Sequence, residues 1–218
     1  MRFAGLFTPS QFNAQSQHFA ERSLVCIEVQ YRLLRAKGGE PPQVCIQDSK
    51  SAMRWVRSHA AELGIDTQRI AASGGSAGGH LAACTAFIEE LDDVQDDLTI
   101  SAKPQALMLF NPVFDNGPGE YGYERVKERY KQFSPAHNIG PGAPPTIVFL
   151  GTRDQLIPVA TVERFQRAMT AAGARCEAKF FEGKGHGFFN APPARTETLQ
   201  AADEFLVSLG WLPALNGK

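Results

Sequence analysis

Short apolar runs alternate along this chain with longer stretches in which apolar positions recur at helical spacing. Residues 24–29 form a β-branched run with no helical stripe, which predicts a buried strand. Over residues 48–63, Ala52, Met53, Val56, Ala60 and Leu63 fall on one face and predict a helix, with Gly64 just past its end as a stop. A strand is expected at 69–73, a helix at 77–90, and buried strands at 106–113 and 146–150. Pro158 opens a further helix with Val162, Phe165, Met169 and Ala172 on one face and Gly173 as its stop. A last strand at 176–181 and a last helix at 196–209, with Leu199, Ala202, Leu206 and Leu209 inward, complete the pattern. This alternation predicts an α/β fold, a mostly parallel central sheet flanked by helices on both faces, with its chemistry at the carboxyl ends of the strands. With no internal repeat or linker, residues 1–218 read as one domain. Its long irregular stretch, 115–145, is rich in Gly, Pro and Tyr around a helical piece at 124–132, and reads as a small lid-like insertion.

Composition narrows the classes. A net charge of −1 without a Lys/Arg block gives no footprint for nucleic acid or an anionic membrane. No apolar run reaches membrane-spanning length, and the first nine residues are too short and too soon broken by Pro9 for a signal peptide, so a cytoplasmic location is expected. Cys26, Cys45, Cys84 and Cys176 lack metal-ligand spacing and are expected to be free thiols, buried where they fall in predicted strands and helices. Nothing calls for a metal or an organic cofactor.

The candidate chemistry begins at Gly74-Gly75-Ser76-Ala77-Gly78, directly after the strand expected at 69–73. This Gly-x-Ser-x-Gly pattern has the form of a nucleophile elbow, a strained strand-to-helix turn that exposes a serine hydroxyl. Gly74 and Gly78 are expected to remove collisions around the turn, and the new helix aims its first N–H groups at the reacting centre. A serine nucleophile needs a base. His186, in Gly183-Lys184-Gly185-His186-Gly187 after the last strand, is placed to swing over the sheet edge. His80 reads as a packed helix histidine, His59 as a helix-end residue, and His18 and His137 as surface or loop residues. The orienting acid should also follow a strand: Asp154 does so after 146–150, with Asp115 as runner-up, whereas Asp48 and Asp66 look like helix-terminal or capping residues. The order Ser76, Asp154, His186 is that of one serine-triad fold and not of the others.

With these residues in view, the chain resembles the α/β-hydrolase superfamily, and within it the carboxylesterases similar to hormone-sensitive lipase and bacterial acetyl esterases. The likeness rests on Tyr31-Arg32, Asp48 with Trp55, Gly64-Ile65-Asp66 with Arg69-Ile70, the elbow with Gly79-His80, Pro144-Pro145-Thr146, Gly151-Thr152-Arg153-Asp154 and Gly185-His186-Gly187-Phe188. It spans roughly residues 10–210. It implies Ser76 as nucleophile, His186 as general base, Asp154 as orienting acid and the Ala77 N–H as an oxyanion donor. The implied substrate is a small carboxylic ester, cleaved through an acyl-enzyme, and the 115–145 stretch, too short for a large cap, points to short acyl chains. Phe188, Phe189 and Tyr121 are candidates for an apolar pocket, with packing as the rival account of the two phenylalanines.

One departure stands out. The family's His-Gly-Gly-Gly segment, source of its remaining oxyanion donors, is missing, and Phe3-Ala4-Gly5 falls where that loop would lead into a helix at about 10–22. In the family the strand before it lies between those corresponding to 24–29 and 69–73, so the sheet reads as N-terminally shortened. Direct pairing of the two flanking strands, a second copy of the chain covering the opening, or a truncated form would each account for this. The departure also keeps two alternatives open, a catalytically silent binding module and a serine peptidase resembling the prolyl oligopeptidase group.

Overall fold

The computed structural model describes residues 10–34 and 39–214. Helices α1 (Asn13–Glu21), α2 (Gln43–Ser58) and the short α3 (Ala60–Leu63) precede the first strand, β1 (Ala71–Gly75). Then follow α4 (Ala77–Phe87), β2 (Ala106–Phe110), the single turn α5 (Tyr123–Val126), β3 (Thr146–Gly151), α6 (Val159–Ala171), β4 (Cys176–Phe181) and α7 (Ala194–Ser208). The strands form one parallel sheet in the order β1-β2-β3-β4. No described helix is long and apolar enough to cross a membrane.

Why the central strands read as unbroken apolar runs is clear from what covers them. On β2, Leu107 and Leu109 face one layer, with Val148 and Leu150 of β3, packed on Ala82, Ala83 and Phe87 of α4 and Val162, Phe165 and Met169 of α6. Ala106, Met108 and Phe110 face the other layer, with Ile147 and Phe149, against Phe19 of α1 and Ala202, Phe205 and Leu206 of α7. Alternate residues go to opposite faces, and both faces are dry. A third cluster joins Cys45 and Ile46 of α2 to Leu81, Cys84 and Ile88 on the outer side of α4, with Val126 and Phe133 from the 115–145 excursion. Helix α4 is thus apolar on most sides because the sheet lies on one flank and α2 on another.

Residues 24–29, expected as a buried strand, form none: Val25, Ile27 and Val29 are 54%, 40% and 42% exposed. Direct pairing of this run with the next strand is therefore not what the structure shows, and β1 lies at the edge of the described sheet. Cys26, expected to be buried there, is exposed, whereas Cys45 and Cys84 are buried and Cys176 is partly covered. Helix α2 begins five residues before the expected start, so Asp48 is not at a helix end. It is buried and accepts from Arg32, from the backbone N–H at 2.7 Å and from Nη2 of the guanidinium at 2.6 Å. This pair fastens the strandless 24–34 segment to α2. The 115–145 excursion holds α5 and two 3₁₀ turns, Lys127–Gln132 and Pro135–His137, and buries Phe133 and Ser134 completely.

Candidate active site

The turn from β1 into α4 is tight because its backbone segments touch. A Cβ on Gly74 would come within 2.4 Å of the Gly78 carbonyl carbon, and one on Gly75 within 2.5 Å of Phe189 Cζ. Gly78 differs: a Cβ there meets nothing within 4 Å, so its own lack of a side chain relieves no collision, contrary to the expected role. The second residue this approach requires to be small is Gly79, whose Cβ would lie 2.9 Å from Pro112 Cβ and 3.0 Å from the Gly74 carbonyl oxygen. Ser76, at the tip, has φ 53 and ψ −115, a strained conformation for an L-residue, and its N–H donates to the Phe110 carbonyl at 2.9 Å. Ala77 opens α4, so its N–H has no carbonyl one turn back to donate to.

The acid and base loops are bound to each other before either reaches the serine. Gly151, the last residue of β3, would drive a Cβ to 2.3 Å from the Lys184 carbonyl oxygen, so the loop after β4 crosses directly over it. Across that contact the Arg153 N–H donates to the Lys184 carbonyl at 2.8 Å, and the Gly183 N–H donates to Thr152 Oγ1 at 2.9 Å. The Asp154 side chain is fully buried. Its Oδ1 accepts from the N–H groups of Leu156 at 2.8 Å and Ile157 at 3.0 Å, which leaves Oδ2 for His186 Nδ1 at 2.8 Å. A carboxylate only accepts, so this contact places a proton on Nδ1 and leaves Nε2 to accept from Ser76 Oγ, 2.8 Å away. The structure thus brings Ser76, Asp154 and His186 into one hydrogen-bonded chain, each from the carboxyl end of a different strand.

The rival residues are engaged elsewhere. His80 is buried, with Nε2–H donating to the Phe133 carbonyl at 2.6 Å, and His59 donates to the Trp55 carbonyl and stacks on its ring. His18 meets Asp203 at 2.7 Å, and Asp115, the runner-up acid, meets His137 at 2.9 Å. Asp66 closes a local turn onto the Gln68 N–H. The pocket candidates divide: Phe189 is completely buried on Phe12 and Phe110, and Phe188 packs on Phe181 at 4.8 Å, so packing accounts for both. Tyr121 is 43% exposed, and no described hydrogen bond or ring contact joins it to Ser76, Asp154 or His186. Phe3-Ala4-Gly5 lies outside the described residues. One neighbour of the triad has no sequence signal: Asn111, fully buried just past β2, with Nδ2 3.3 Å from His186 Nε2. An asparagine after a strand reads as an ordinary loop residue. Among the described residues no group of three or more His, Cys, Asp or Glu is placed to hold a metal ion.

Comparison with known proteins bears on the same residues. The BD-FAE family matches residues 8–118 and the dienelactone hydrolase family residues 121–214. Esterase LipC of Mycobacterium tuberculosis is 29% identical over 81% of this chain and 48% of its own length. The probable carboxylic ester hydrolase LipM of the same organism is 30% identical over 68% of this chain and 38% of its own. The chain therefore spans less than half the length of these curated relatives. Among solved structures, the apo form of Thermogutta terrifontis esterase 2 superposes with a TM-score of 0.88 at 45% identity, covering 95% of this chain and 80% of that one. The same esterase is known phosphorylated by paraoxon, and with propionate and with butyrate bound. A parallel sheet with its strand-end elbow, matched across nearly the whole chain at this identity, makes the protein a member of the α/β-hydrolase superfamily, among the esterases similar to hormone-sensitive lipase.

Proposed function

We propose that this chain hydrolyses small carboxylic esters with short acyl groups through an acyl-enzyme on Ser76. The observation that carries the reading is the continuous hydrogen-bonded chain from Asp154 Oδ2 through His186 to Ser76 Oγ, both links 2.8 Å. In this reading Ser76 Oγ attacks the ester carbonyl carbon while its proton passes to His186 Nε2. Asp154 holds the Nδ1–H tautomer and stabilises the imidazolium as it forms. The Ala77 N–H donates to the developing oxyanion, an interaction whose loss typically costs about 100- to 1,000-fold in kcat. The tetrahedral intermediate collapses, the C–O bond to the alcohol breaks, and the alkoxide leaves with the Nε2 proton. Water then attacks the acyl-serine with His186 again as base, releasing the carboxylic acid and restoring the serine.

The short-acyl preference is supported by propionate and butyrate bound to the similar Thermogutta esterase, and the activated serine by that protein's phosphorylation with paraoxon. The test is hydrolysis of p-nitrophenyl acetate, butyrate and octanoate by the wild type and by Ser76→Ala. Wild-type turnover falling from butyrate to octanoate, and abolished in the variant, is expected. Equal rates for the two proteins would remove the serine mechanism, and an octanoate rate above butyrate would remove the short-chain preference.

A further inference from the structure

Asn111 is fully buried at the carboxyl end of β2, and its backbone sits at φ 34, on the left-handed side that asparagine tolerates better than most residues. Its N–H continues the sheet by donating to the Phe149 carbonyl at 2.7 Å. The side chain bridges two parts of the base loop. Oδ1 accepts the Gly187 N–H at 2.9 Å, a geometry that Gly187 supplies with its own φ of 77. Because the oxygen end is committed to an N–H, the amide nitrogen is the end that faces the imidazole, with Nδ2 3.3 Å from His186 Nε2. Nε2 has one lone pair, and two donors address it: the Ser76 hydroxyl at 2.8 Å and, less closely, the Asn111 amide.

Building on the ester-hydrolase reading, we infer that Asn111 is a positioning residue for the base, acting in two ways. Through Gly187 it anchors the loop that carries His186. Through Nδ2–H it keeps a donor at Nε2 after Ser76 has been acylated and has no proton left to offer. The neutral ring then stays aligned for the incoming water. Among the described residues the charged group bonded to the ring is Asp154. Arg153, Glu182 and Lys184, the other ionisable residues of the two loops, are exposed, and from the end of β2 Asn111 reaches the ring.

Two variants separate the effects. Asn111→Asp keeps an acceptor for Gly187 but turns a carboxylate oxygen toward Nε2, so the imidazolium gains a partner. Asn111→Gly tolerates the positive φ and removes the side chain alone. For Asn111→Asp, the acid limb of the kcat/KM profile with p-nitrophenyl butyrate is expected to move up by about one pH unit or more, with activity recovered on the alkaline side. For Asn111→Gly, kcat is expected to fall about 10- to 100-fold as deacylation becomes the slow step, with KM falling alongside it and kcat/KM little changed. Nitrogen-15 NMR of labelled histidine gives a readout independent of turnover, in which the His186 ring of Asn111→Asp titrates at higher pH than that of the wild type. If either variant fails to fold, the other still decides. An Asp variant with wild-type pH profile and ring titration, or a Gly variant with wild-type kcat, overturns the inference. A shifted ring titration in a protein that cleaves no ester upholds the Asn111 contact and removes the hydrolase reading instead.

Discussion

His80 lies one turn beyond Ser76, buried between α4 and the 115–145 excursion, and donates its Nε2–H to the Phe133 carbonyl. Burial pushes its pKa below the ordinary histidine value, and the bond to Phe133 opposes this only in part. An unfolded histidine binds a proton below about pH 6.5 that the folded one refuses. The unfolded state therefore holds more protons in that range, so stability is full above it and falls as the pH drops through it. Urea midpoints of wild type and His80→Gln at pH 7.5 and 5.5 should show the wild type losing more on acidification, the glutamine amide keeping the bond to Phe133. Equal losses would remove His80 from the acid sensitivity. At this scale the sequence was legible where chemistry has a pattern: Ser76, Asp154 and His186 follow from motif, strand ends and chain order. It was silent on Asn111, whose role lies in a contact across 75 positions, and it treated Gly74 and Gly78 as equivalent. Only the crossing of the backbones shows that Gly74 and Gly79 are the pair that must stay small.

Among the elements, α4 is held at its far end by one side chain. Lys50 of α2 is buried and donates Nζ–H groups to the carbonyls of Ile88, Glu89 and Glu90 at 3.0, 3.1 and 2.7 Å, with Asp92 at 2.8 Å. Ile88 caps α4 and Glu89 and Glu90 follow it, so the lysine gathers the carbonyls of the chain as it leaves the helix, where a cation also suits the helix dipole. Lys50→Met keeps most of the volume but leaves buried acceptors bare, and should cost about 2–4 kcal/mol, read from chemical denaturation. Below its melting point the variant should still hydrolyse ester at the wild-type rate, because the elbow lies at the opposite end of α4. A loss under about 0.5 kcal/mol would mean that water replaces the lysine. Periodicity could not have found this contact, since a lysine at such a position reads as solvated. The same blindness explains 24–29. A β-branched run forms a strand only where a neighbour pairs with it; among the described residues no strand pairs with this one, and Arg32 and Asp48 hold the largely exposed segment to α2. Strands β2 and β3 lay close to expectation because both of their faces are covered, which leaves an unbroken apolar run in the sequence.

For the molecule as a whole, alternation of strands and helices was enough to read the parallel sheet, and the sheet's parallel sense puts three strand ends at one edge where the triad meets. The 115–145 excursion was legible as an irregular stretch around a helical piece, which the structure splits into α5 and a 3₁₀ turn, but not in its attachment, because what fixes it is tertiary. Its base is anchored by buried groups, with the Asn116 N–H donating to Ser134 Oγ at 2.8 Å and the Ala136 N–H to the Phe114 carbonyl at 3.0 Å. Its outer part is held to α6 by charge. Arg164 pairs with Glu120 and approaches Asp115 at 3.8 Å, while Thr161 Oγ1 donates to Glu120 at 3.0 Å. The guanidinium is nearly half exposed, so each pair is worth at most about 1 kcal/mol, too little to affect global unfolding but enough to bias local opening. Arg164→Ala should leave the denaturation midpoint within about 1 kcal/mol of the wild type. Amide exchange over residues 117–125 should quicken about 3- to 10-fold, while exchange over 133–136 stays slow. The effect should shrink in high salt, where the wild type loses the same screened attraction. Exchange that quickens equally over both segments would show the excursion opening as one body. No change in either would mean that the buried anchors alone set its position.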